Sequence, residues 1–291
     1  MRAANWAMLP IRDERVRRIA ITAAKGGGGL LGVGTAVAGT AIGVGVVQAR
    51  LARRAIGRPL TVPPYSDGRY LPPGETVARG TSLRLTVLGD SGAASLGAHD
   101  AEATIGAILA TALAAAAHRP VLLSNVAVVG ATSSALAAQV DRALVNRPHV
   151  AVIMIGANDV THLVRPQVSV RLLSDAVHRL RSAGVQVVVG TCPDLGTVRP
   201  LASPLRQVVG RMSRELAAAQ RIGVLAEGGR PVALAEILGE LFYTHPQHFF
   251  SSDRFHPSAA GYFACAQALL PAVLDAAGIA PEMRALPSAS S

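Results

Sequence analysis

From about residue 81 onward, short runs dense in Val, Leu and Ile alternate with longer runs of helical character, and this alternation restricts the fold more than any single motif. Strands are expected at 83–88, 121–128, 149–155, 185–190 and near 222–226, with helices over 101–117, 133–146, 167–183, 204–220 and 258–277. Such an order implies a parallel sheet covered by helices on both faces. Only 3% of the residues are aromatic, so the core must be built from Ala, Val, Leu and Ile. The alternating region, 81–280, is read as one domain, followed by a loose Pro-, Ala- and Ser-rich tail over 281–291.

The N-terminal part is different in kind. The formal net charge of +10 suggests nucleic acid until it is located. Residues 1–80 carry 12 Lys+Arg against 4 Asp+Glu, which leaves 16 against 14 for the rest of the chain. The basicity therefore lies outside the folded region, no nucleic-acid module accompanies it, and a nucleic-acid partner is not expected. After a basic segment at 1–25 come 24 residues, Gly26 to Ala49, without a charge. As a helix they would extend about 36 Å, enough for a hydrocarbon core of about 30 Å. We read 26–49 as a membrane anchor that places the following domain on the extracytoplasmic side. A cleaved export signal ending near Val47-Gln48-Ala49 is the alternative, although Arg50, Arg53 and Arg54 directly after it argue against cleavage. Pro59, Pro63, Pro64, Pro72 and Pro73 make 50–80 a linker.

Four short blocks carry the chemistry. Gly89-Asp90-Ser91 follows the first expected strand, Gly130-Ala131-Thr132 the second, and Gly156-Ala157-Asn158-Asp159 the third; Asp253-Arg254-Phe255-His256-Pro257 lies near the C-terminus. In open α/β sheets the carboxyl edge of the strands is where sites form. Asp253, three residues before His256, is close enough to hold the imidazole and set its tautomer, which is what a serine nucleophile needs beside it. With these blocks in this order, the chain resembles the SGNH (GDSL) hydrolase superfamily over about residues 81–280. The resemblance implies a three-layer α/β/α sandwich with a five-stranded parallel sheet in flavodoxin-like order. It implies Ser91 as nucleophile, His256 as general base and Asp253 as its orienting acid. The oxyanion hole would combine the Ser91 and Gly130 N–H groups with the Asn158 amide. The implied reaction is hydrolysis of a carboxylic ester through an acyl-enzyme, with no cofactor and no metal. The substrate would be a small ester: a lipid, an acetylated sugar or another acyl ester. Many members follow Gly-Asp-Ser with leucine or isoleucine; Gly92-Ala93-Ala94-Ser95 here departs from that, which bears on subfamily rather than chemistry.

Several competing readings follow from the same residues. Ala93-Ala94-Ser95-Leu96-Gly97 approximates a nucleophile elbow around Ser95, but Ser95 would lie a helical turn beyond the strand. His245 and His248 could join Asp253 and His256 at a metal, but Pro246 and the lack of helical spacing favour a loop at the rim of the site. Asp90 and Asp159 read as supports that bond nearby backbone. Cys192 and Cys265 read as two small buried hydrophobes, or as an oxidised pair outside the cell. An inactive module binding acyl or glycosyl groups at the membrane would keep the fold and lose the reaction. A structural membrane protein built around the glycine-rich span would need none of the four blocks.

Overall fold

The computed structural model describes residues 62–77 and 80–279. The basic segment, the apolar segment at 26–49 and the tail at 281–291 lie outside the described residues.

The strands are β1 (Gly68–Tyr70), β2 (Leu83–Gly89), β3 (Val121–Asn125), β4 (Val150–Met154), β5 (Gln186–Gly190) and β6 (Arg230–Val232). The helices are α1 (Ile105–Ala117), α2 (Leu136–Val145), α3 (Ala157–Thr161), α4 (Pro166–Ser182), α5 (Leu205–Ala226), α6 (Leu234–Thr244), α7 (Pro246–Phe249) and α8 (Ala259–Ala276). The sheet runs β1-β3-β2-β4-β5-β6. Pairing is parallel from β3 to β6, and β1 joins β3 antiparallel at the edge. Numbered from β2, the five parallel strands have the flavodoxin-like order 2-1-3-4-5, so the fold class is as expected. The chain reverses its winding direction between β2 and β4, and the loops leaving these two strands open a crevice at that switch point.

Successive strand residues divide between two cores, as a period of two requires. Leu85, Val87, Val152 and Val188 face α1 and α8, together with Ile105, Leu109, Tyr262 and Leu269. Leu88, Ile153, Val187 and Val189 face the opposite layer, with Leu136, Val140, Leu173, Val177 and Leu180 from α2 and α4. Burial on both faces is why the strands read as continuous apolar runs rather than as alternating ones. By length and hydropathy α8 could cross a membrane, but its Tyr262, Leu269 and Val273 are buried in this core.

Two expectations about the sheet need correction. The fifth strand is not at 222–226; those residues complete α5, and β6 follows Gly228-Gly229. Val224 is fully buried while Ile222 and Leu225 are 72% and 56% exposed. That is one face of a helix, but a five-residue apolar run cannot reveal it alone. The sheet also has six strands rather than five, because Gly68–Tyr70, within the expected linker, pairs with β3. Three residues are too few for a hydrophobic pattern to mark them.

Two buried glutamines finish the carboxyl edge where the ladder ends. Gln139 accepts from the Gly89 N–H at 2.7 Å and donates to the Gly89 carbonyl at 2.9 Å. Gln220 accepts from the Cys192 N–H at 2.7 Å and donates to the Ile155 carbonyl at 3.0 Å, tying the ends of β4 and β5 together. Each amide supplies one donor and one acceptor to backbone at a buried strand end, and Gln220 is the partner of the Cys192 N–H and the Ile155 carbonyl. We expect Gln220→Leu to lower stability by about 2–6 kcal/mol, since it orphans one N–H and one carbonyl at about 1–3 kcal/mol each; urea unfolding monitored by circular dichroism measures the loss.

Candidate active site

The block around Ser91 begins at a contact that only glycine allows. Gly89 has φ +137°, and a Cβ there would lie 1.8 Å from the Met154 carbonyl oxygen. Beyond it, the Asp90 N–H donates to that same carbonyl at 3.1 Å. The Asp90 carboxylate then accepts from the Gly92 N–H at 2.9 Å, and its carbonyl accepts from Ala94. The chain therefore turns sharply with Ser91 at the bend. Among the described residues the Ser91 N–H meets no acceptor.

The C-terminal block is a tight loop organised by Asp253. One carboxylate oxygen accepts from the backbone N–H groups of Phe255 and His256, both at 2.9 Å, and from the Ser251 hydroxyl at 2.8 Å. The other lies 2.6 Å from His256 Nδ1. On the far side of the ring, His256 Nε2 is 2.9 Å from Ser91 Oγ. Ser91 and His256 are each 9% exposed. The two blocks, 165 residues apart, are held together by packing: a Cβ on Gly97 would come 2.8 Å from the Pro257 carbonyl, and the buried Tyr262 hydroxyl donates to Leu96 at 2.7 Å.

The other two blocks form a second unit beside Ser91. The Asn158 amide donates one hydrogen to the Ala131 carbonyl at 3.0 Å, which leaves its second hydrogen for another acceptor. Asp159 accepts from the Ser133 N–H at 3.1–3.2 Å and from the Ser133 hydroxyl at 3.1 Å, and that hydroxyl also meets Ser169. The loop carrying Gly130 is thus pinned to the start of α3. A Cβ on Gly130 would meet nothing within 4 Å, but φ is +80°. Glycine serves here for its backbone conformation rather than for close approach. Among the described residues the Gly130 N–H has no acceptor.

The remaining sequence expectations sort cleanly. Ser95 is fully buried and its hydroxyl accepts from the Ile105 N–H at 2.9 Å, supporting the start of α1. That places it away from His256 Nε2, which faces Ser91. His245 and His248 are exposed around α7, and the His248 carbonyl accepts from Ser258, the N-cap of α8, at 2.6 Å. Cys192 and Cys265 are free and buried, and burial pushes the Cys265 thiol up to about 12. Sequence reading missed Gln139, Ser251 and all of α6. A polar residue at a buried helix position signals nothing until its backbone partner is known.

Two carboxylates near the histidine are shifted in opposite directions. Burial opposes ionisation of Asp253, but the hydrogen bonds from His256 and from the Phe255 and His256 N–H groups outweigh it and hold the carboxyl at about 2. Asp90 is dominated by burial and rises to about 6, moderated by the Gly92 N–H and the nearby His256.

Residues 87–264 match the GDSL-like Lipase/Acylhydrolase family. The chain is 41% identical to the GDSL-like esterase Rv1075c of Mycobacterium tuberculosis over 256 residues, 86% of this chain and 81% of that one. Among solved structures, TesA superposes with a TM-score of 0.53 at 21% identity, covering 66% of this chain and 99% of that one. A mutant of Axe2, an acetylxylan esterase from Geobacillus stearothermophilus, gives 0.52 at 19% identity, over 68% and 96% of the two chains. At such identities these two structures support the fold alone. The chain belongs to the GDSL-like lipase/acylhydrolase family and is an ester hydrolase.

The carboxylates make opposite contributions to stability. Asp253, depressed in the fold, stabilises it above the ordinary value of 3.8, and that contribution is lost as pH falls through about 2. Asp90, raised in the fold, favours it most below 3.8, and the contribution is lost as pH rises through about 6. Asp90→Asn keeps the acceptor for Gly92 and removes the buried charge. We expect the variant to be more stable than the parent at pH 8, by up to about 3 kcal/mol, with the difference vanishing near pH 4. Denaturant titrations at the two pH values measure it.

Proposed function

We propose that this esterase works through a covalent acyl-enzyme on Ser91. The observation that carries the reading is the continuous relay from Ser91 Oγ through both ring nitrogens of His256 to Asp253, at 2.9 and 2.6 Å. As Ser91 Oγ attacks the ester carbonyl, His256 Nε2 takes its proton. Asp253 keeps Nδ1 protonated and opposes the positive charge that develops on the ring. The carbonyl oxygen becomes an oxyanion. The N–H groups of Ser91 and Gly130 and the second Asn158 amide hydrogen, all without another acceptor among the described residues, are the donors proposed for it. Collapse expels the alkoxide, which recovers the proton from His256 and leaves as the alcohol. A water, deprotonated by the same imidazole, then attacks the acyl-enzyme and releases the carboxylic acid and free Ser91.

The intact relay speaks against an inactive binding module, which would have no use for a histidine aligned on a serine hydroxyl. For the N-terminal region we propose that residues 26–49 anchor the enzyme in a membrane through the linker at 50–80. The reading rests on 24 uncharged residues bounded by Lys25 and Arg50.

Ser91→Ala should abolish turnover of p-nitrophenyl acetate, and a fluorophosphonate should label Ser91 and leave Ser95 unmodified; an adduct mapped to Ser95 by mass spectrometry overturns the assignment. Asn158→Ala should lower kcat by about 10²–10³ with little change in KM, because the lost donor acts mainly on the transition state. Full-length protein should resist carbonate extraction from membranes, while a fragment starting at Pro59 should be soluble and active. Release of the full chain by carbonate counts against the anchor.

A further inference from the structure

Behind Ser91 the fold leaves a cavity of about 110 Å³, bounded by β4, β5, α6 and α8. Its apolar walls include Met154, Leu234, Leu238, Phe242, Phe250 and Phe255, and its reacting end holds Asp90, Ser91 and His256. Neither Gly130 nor Asn158 lines it. Of the three proposed oxyanion donors only Ser91 borders the cavity, so a carbon chain held there does not compete with a carbonyl oxygen for Gly130 or Asn158.

We propose that this cavity receives the acyl chain of the ester and selects short acyl groups, with Gly239 marking its far limit. The proposal rests on the acyl-enzyme reading above and adds the substrate class to it.

Two observations fix the length. An apolar cavity of about 150 Å³ accepts one benzene, so about four or five carbons fill this one. Beyond them the surroundings change character. Asp194, Thr197 and Gly239 line both the cavity and an open groove of about 530 Å³, whose other walls include Arg206, Gln207, Arg214 and Glu240. At this boundary the Asp194 carboxylate is paired with Arg214 at 2.8 Å. Methylenes that stay within the cavity are removed from water, whereas those that pass Gly239 meet charged groups and gain nothing. Gly239 also has room for a side chain: a Cβ there would meet only the Asp194 Cβ, at 4.0 Å. Elsewhere the wall is tight, since a Cβ on Gly190 would come 2.7 Å from Leu234.

The test is kcat/KM for p-nitrophenyl esters from acetate to decanoate, with the leaving group held constant. For the parent we expect a rise of about fourfold per methylene up to about butanoate or pentanoate, and a decline by octanoate. Gly239→Leu should lower the hexanoate-to-acetate ratio at least tenfold, and Leu238→Ala should move the maximum to longer chains. A rise that continues through decanoate, a maximum at acetate, or unchanged ratios in both variants overturns the proposal. If one variant fails to fold, the other decides. Loss of turnover in Ser91→Ala alongside a flat chain-length profile would sink only the cavity assignment; turnover that survives Ser91→Ala would sink the acyl-enzyme reading itself.

Discussion

Where β2 leaves the sheet, the backbone of Gly89 presses against the carbonyl of Met154, and the positions of the site all refer back to that contact. The parallel sheet brings the ends of β2 and β4 side by side at the point where the winding direction reverses. No side chain fits between them. Gln139 takes up the hydrogen-bonding groups of Gly89, and Asp90 bonds Met154 across the gap. The turn holding Ser91 is therefore set from β2 and the turn holding Asn158 from β4, both on a rigid edge. Their relative position follows from strand pairing, which loops alone could not hold.

His256 reaches this edge from the opposite end of the chain, and its alignment depends on a network of local bonds. Asp253 receives hydrogen bonds from two backbone N–H groups and one hydroxyl before it meets the imidazole. A carboxylate with so many donors stays ionised although it is buried. Asp90, next to Ser91 in the chain but with fewer donors, is pushed upward by burial. One side-chain type serves two purposes because its surroundings differ. Asp253, held low, meets His256 Nδ1, while Asp90, pushed up, supports the turn at Ser91 through the Gly92 N–H.

The substrate side of the site comes from a part of the chain that has no motif. Helix α6 and the phenylalanines of α6 and α7 close over the sheet edge, with Phe242 and Phe250 packed edge to face at 5.1 Å. A protein with only ten aromatic residues places four of its five phenylalanines, 242, 249, 250 and 255, around this wall or directly against it. Dispersion contacts there shape a cavity, whereas the catalytic groups depend on hydrogen bonds with defined directions. The two kinds of interaction leave different traces in a sequence.

That difference decides what could be read without coordinates. Chemistry that needs one residue type at one place leaves a motif, and so Ser91, Gly130, Asn158, Asp253 and His256 could be named from their blocks and are brought to one sheet edge in the structure. Long apolar strands buried on both faces were legible for the same reason, as their whole length must be hydrophobic. The sixth strand position was not, because Ile222 to Ala226 suits either a strand or one face of a helix, and only packing of Val224 against the sheet selects the helix. Nor could Gln139 and Gln220 be recognised, since their partners are backbone groups distant in sequence. Ser91 and Ser95 are likewise told apart only in three dimensions, where one hydroxyl meets His256 and the other meets the Ile105 N–H. Sequence by itself determined the layered α/β class and the family, because local pattern and short motifs suffice for them. The cavity, its limit at Gly239 and the glutamine ties were decided only by tertiary structure, because each depends on surfaces that meet after the chain has folded.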